Sequence, residues 1–114
     1  MGVPLHGSEH LVVSVEILGE HFELPAGNFL LRGLQTLAPD TIPFGRFCWN
    51  EDCQHCRVLC QHPQETGTRV ALSCKLLAVD GLRVVGLAAE LLRQLGPLHL
   101  TLTDEARAFA QRQS

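Results

Sequence analysis

The sequence predicts a small α+β protein, and three observations carry that expectation. A β-branched run, Leu11-Val12-Val13-Ser14-Val15-Glu16-Ile17, is followed after the turn Leu18-Gly19-Glu20 by the alternating His21-Phe22-Glu23-Leu24, and the two read as an antiparallel hairpin. Leu30, Leu31, Leu34 and Leu37 then recur at helical spacing and form one apolar stripe. Beyond residue 56, short extended runs alternate with turn residues before helical patterns close the chain. With 114 residues, 46% of them apolar and 18% charged, the chain suits one domain around one modest core.

Pro25 stops the second strand, and Pro25-Ala26-Gly27-Asn28 punctuates the entry to the helix, with Asn28 as its N-cap. Pro39 ends that helix. Residues 40–52 show no clear period and read as a loop. Cys56-Arg57-Val58-Leu59-Cys60 reads as the third strand, residues 62–68 as a polar loop containing Pro63 and Gly67, and Arg69 to Leu72 as extended chain. Asp80-Gly81 marks a turn before a last strand, Leu82 to Leu87. Leu87 to Leu95 has a helical pattern with Leu87, Leu91, Leu92 and Leu95 on one side, broken by Gly96-Pro97. Leu98 to Leu102 reads as an extended arm. Thr103 caps a short final helix through Ala110, with Asp104 and Glu105 in the first turn, where the helix dipole favours acids. The expected organisation is a flexible leader over 1–10, a core domain over 11–87 and a helical extension of that domain over 88–114.

A formal net charge of −3 and the scattered placement of nine Lys and Arg argue against nucleic-acid binding, which calls for a basic patch. The first ten residues lack a basic region followed by an apolar stretch, so no secretory signal is expected. No apolar run approaches the roughly 18 residues of a membrane span. The expected compartment is reducing and cytoplasmic. There, clustered cysteines serve as metal ligands or redox groups more often than as disulfides, and an odd total of five fits full pairing poorly.

Three of those cysteines, Cys48, Cys53 and Cys56, fall within nine positions, and Cys74 follows eighteen residues later. This C-x4-C-x2-C…C arrangement is the plant-type spacing for four thiolates on a [2Fe–2S] cluster. The competing reading is a structural zinc site, because C-x2-C also suits tetrahedral zinc. Zinc modules usually present two short-spaced pairs, however, and Cys74 has no near partner in sequence. A Rieske centre is excluded, because its second histidine would fall at Leu77. Cys60 shares a strand face with Cys56 and Val58 and reads as a buried core thiol. His55 reads as an ordinary surface residue inside the ligand loop, His62 is given no role, and Trp49 reads as packing over the loop, as a shield for the cluster or as part of a docking surface. The sequence contains no nucleophile–base pair and no Gly-rich phosphate loop, so no independent enzymatic activity is expected.

The chain resembles the plant-type and adrenodoxin-type [2Fe–2S] ferredoxin family, and is also similar to the ferredoxin-like domain at the front of the large subunit of NADH–quinone oxidoreductases. Three stretches carry the likeness: Pro25-Ala26-Gly27-Asn28-Phe29-Leu30-Leu31-Arg32-Gly33-Leu34, the loop from Cys48 to Cys56, and Leu72-Ser73-Cys74 through Val79-Asp80-Gly81-Leu82-Arg83-Val84-Val85. Trp49-Asn50-Glu51-Asp52 stands where plant-type loops carry glycine. The resemblance implies a β-grasp fold, a small mixed sheet wrapped around one helix. It implies Cys48, Cys53, Cys56 and Cys74 as cluster ligands, the first two on an outer iron and the last two on an inner one. The function it implies is one-electron transfer between redox protein partners, a reductase or an acceptor oxidoreductase. Glu51 and Asp52 add negative charge beside the cluster, which disfavours its reduced state and points to a low potential. The alternative is a zinc-stabilised β-grasp interaction module without redox activity.

Overall fold

The first hairpin forms where the β-branched run predicts it. In the computed structural model, which describes residues 11–44 and 55–112, β1 (Val12–Ile17) pairs antiparallel with β2 (Glu20–Pro25) from Val12–Pro25 to Ile17–Glu20. The expected leader over 1–10 lies outside the described residues. The connecting turn places both Leu18 and Gly19 in the left-handed region, with φ of 50° and 90°, as a tight two-residue hairpin turn requires. Gly19 adopts this freely. Leu18 does so against its preference, offset by a side chain buried in the core and an amide donated to the Val84 carbonyl at 2.9 Å.

Helix α1 (Leu30–Leu37) buries Leu30, Leu31, Gly33 and Leu34. At Gly33 it approaches the hairpin so closely that an added Cβ would lie 2.8 Å from Leu24 Cδ1. Its N-cap is Phe29, with no side-chain cap, and not Asn28 as the sequence suggests. The Asn28 side-chain amide instead donates to the Ala26 carbonyl at 3.4 Å. The cap comes from distant backbone: the Leu30 amide donates to the Leu76 carbonyl and the Leu31 amide to that of Ser73, at 2.6 and 2.9 Å.

The remaining strands are β3 (Arg57–Gln61), β4 (Arg69–Leu72) and β5 (Arg83–Leu87). They complete a five-stranded mixed sheet in the order β2-β1-β5-β3-β4, with β1 and β5 parallel and the other neighbours antiparallel. The third strand starts one residue later than expected, at Arg57. Leu87 ends β5, paired with Val58, and does not open a helix; extended backbone at Ala88 separates it from α2 (Ala89–Gln94). After a 3-10 turn at Gly96–Leu98, the segment to Leu102 joins no strand. Helix α3 (Asp104–Arg112) begins as predicted, with Thr103 Oγ1 accepting the Ala106 amide at 3.0 Å.

The two faces of the sheet are covered by different helices. Val15, Ile17, Leu24, Val58, Cys60 and Val84 join α1's leucines in one buried cluster. On the opposite face the register slips, because Leu59 pairs with Gly86 but Cys60 with Val84. Val85 is therefore an extra residue, a bulge that turns Gly86 away from α1. Phe109 of α3, 1% exposed, packs there, and a Cβ at Gly86 would meet Leu59 Cβ and Phe109 Cβ at 3.1 Å each. Among the described residues no helix is long and apolar enough to cross a membrane. Gly86→Val is expected to lower stability by about 1–3 kcal/mol, the usual cost of overpacking, measured as a reduced urea midpoint. An unchanged midpoint would mean that α3 does not rest on this glycine.

Candidate metal centre

The antiparallel ladder between β3 and β4 places the third and fourth cysteines of the motif. It runs from Cys60–Arg69 to Arg57–Leu72 and continues one step further, where the Ser73 amide donates to the Cys56 carbonyl at 2.9 Å. Cys56 therefore lies opposite Ser73, and Cys74 is the next residue along. After Leu72 the chain closes a turn, the amides of Lys75 and Leu76 both donating to the Leu72 carbonyl at 2.9 Å. The same turn supplies the Ser73 and Leu76 carbonyls that cap α1. Cys74 is thus held between β3 on one side and the start of α1 on the other, and the positive end of the helix dipole favours negative charge in that turn.

Cys56 and Cys74 are 2% and 8% exposed and belong to the main core cluster. Ser73 is fully buried, and its hydroxyl has no hydrogen-bond partner among the described residues. Cys56 and Cys74 thus flank Ser73, one across the ladder and one along the chain, and thiolate sulfur is the ligand type that selects zinc or iron–sulfur clusters. Cys48 and Cys53, with Trp49, Glu51 and Asp52, lie outside the described residues. Among the described residues no group of three or more His, Cys, Asp and Glu is gathered to hold a metal ion, and His55 is half-buried beside Cys56 in the chain.

Next to Cys74, a cleft of about 470 Å³ opens along β4, lined by His62, Arg69, Leu72, Lys75, Leu76 and Leu77 among others. Arg69 is ion-paired with Glu65 at 3.1 Å. Sequence reasoning did not anticipate this basic rim, because its members come from the polar loop, from β4 and from the Cys74 turn. Nor did it single out Ser73, whose burial depends on long-range packing rather than on local pattern.

Cys60 stands apart from the other two thiols. It is fully buried and lies four residues along β3 from Cys56, roughly 13 Å at strand rise, too far to share one metal with it. Burial pushes the Cys60 thiol above its ordinary value, with Glu65 adding to the rise and Arg69 opposing it. An acid with a raised folded-state pKa stabilises the fold below its unfolded pKa, and that contribution is lost as pH climbs through the folded value. Stability is therefore expected to decline above about pH 9, less steeply in Cys60→Ala than in the parent. Equal slopes in urea titrations across that range would show that Cys60 titrates at the same pH folded and unfolded, and that burial does not raise it. Comparison with protein-family models returns no match, and a search of curated proteins returns no similar sequence.

Proposed function

We propose that this chain is a one-electron carrier that binds a [2Fe–2S] cluster through Cys48, Cys53, Cys56 and Cys74. It acts as a free ferredoxin or as a ferredoxin-like subunit of a larger redox system, exchanging electrons with a reductase or an acceptor oxidoreductase in the cytoplasm. The observation that carries the reading is the backbone bond from Ser73 to Cys56, which brings together the backbones around two buried cysteines eighteen positions apart in sequence. The strand order β2-β1-β5-β3-β4 with its parallel β1–β5 pair supports the β-grasp frame that the resemblance implies.

When bound, the cluster supplies reversible one-electron exchange, which needs neither a substrate pocket nor a proton relay. The chain's part is to hold and shield. The ladder holds the backbone at Cys56 and the capped turn holds it at Cys74, which supports the two as the inner pair of ligands. Their burial keeps water from the inner side, and hydrogen bonds and local charge then set the potential.

Anaerobically purified protein is expected to be red-brown, to carry two iron and two acid-labile sulfide per chain, and to give a [2Fe–2S] electron paramagnetic resonance signal after dithionite reduction. Its midpoint potential should be negative. Cys74→Ser should abolish or degrade the signal and Cys60→Ser should leave it intact. A colourless protein with bound zinc would replace the carrier with a zinc-stabilised interaction module.

A further inference from the structure

We infer that the Ser73 hydroxyl is a hydrogen-bond donor to a sulfur of the centre held by Cys56 and Cys74, and that it raises the centre's potential. This rests on the [2Fe–2S] reading above and assigns a residue that tunes the same site.

Ser73 is fully buried, and its Oγ is a side-chain polar atom with no partner among the described residues. A buried hydroxyl without a partner is destabilising, and an alanine would occupy the same space without that penalty. The residue cannot swing its hydroxyl out to solvent by a small backbone shift, because both backbone groups are committed. Its amide is bound to the Cys56 carbonyl at 2.9 Å, and its carbonyl takes the Leu31 amide at 2.9 Å. One thiol-bearing residue lies directly across the ladder from it and the other follows it in the chain. Negatively charged sulfur is the acceptor that this position would offer once the centre is loaded.

The sign of the effect follows from charge. Reduction adds an electron to an already anionic centre, and a donor aimed at its sulfur stabilises the added charge.

The test uses the full chain with its cluster in place. In deuterium oxide, the wild-type protein should show a shift in its Fe–S vibrational lines and lose an exchangeable-proton coupling from the reduced-state resonance. In Ser73→Ala the part of both due to the hydroxyl should vanish, and the midpoint potential should fall at unchanged iron and sulfide content. Ser73→Thr, which keeps the hydroxyl, should retain the wild-type exchange pattern. Unchanged potential and unchanged exchange sensitivity in Ser73→Ala, in a protein that is still coloured, would overturn this inference alone. Should Ser73→Ala fail to hold the cluster, the wild-type exchange pattern decides by itself, and its absence overturns the inference. A wild-type protein without iron and sulfide would overturn the inference together with the cluster reading.

Discussion

Helix α1 starts with amides that no helical carbonyl can reach, and the way this shortage is met organises the site. No side chain caps the helix. The carbonyls of Ser73 and Leu76 take the amides of Leu31 and Leu30, so the turn after β4 must lie across the helix entrance. That turn carries Cys74, and its first residue is bonded in turn to Cys56. One set of backbone bonds therefore joins the helix, the β3–β4 hairpin and two of the four motif cysteines. A change that lifts the turn from the helix exposes orphan amides and strains the bond between Ser73 and Cys56 at once.

What could be read in the sequence divides by the range of the interaction. Thr103 was legible as a cap because its hydroxyl meets the amide of Ala106, three residues on. Asn28 was not excluded as a cap because its competitors, Ser73 and Leu76, lie more than forty positions away. Leu87 fits a helical stripe with Leu91 and Leu95, yet pairing with Val58 claims it for β5. Hairpin, leucine stripe and short strands follow from local periodicity, which is why they appear nearly where expected. The closeness of residues 56 and 74 needs the ladder between β3 and β4, and only the cysteine pattern hinted at it. Cys48 and Cys53, legible by the same pattern, lie outside the described residues.

The irregularity in β5 bears on the site through β3. Without the bulge at Val85, Gly86 would share the face of Val84 and point toward α1. With it, a residue lacking a side chain is turned to the rear, and Phe109 settles against the sheet. Strand β3 lies beside β5 in the sheet, with Val58 and Cys60 buried on the front and Leu59 next to Phe109 at the rear. The strand leading from Cys56 is therefore packed on both faces. The backbone at Cys56, at the end of such a strand, is thus held from both sides of the sheet.

Buried polar groups show how unusual Ser73 is in this molecule. Glu90 is 5% exposed, and its carboxylate is met by Arg93 and, at 3.0 Å, by Gln94. Both partners lie within one turn of α2, so the cost of burying the charge is offset locally. Even on less buried residues, the Thr36 and Thr41 hydroxyls donate to backbone carbonyls, those of Gly33 and Gln94. Among the described residues Ser73 has nothing comparable, although its own amide and carbonyl are engaged. A site that breaks the rule kept by its neighbours is where function is to be sought. Here the break falls between the two cysteines that the fold brings together, where an acceptor other than the protein's own oxygen would complete the bonding.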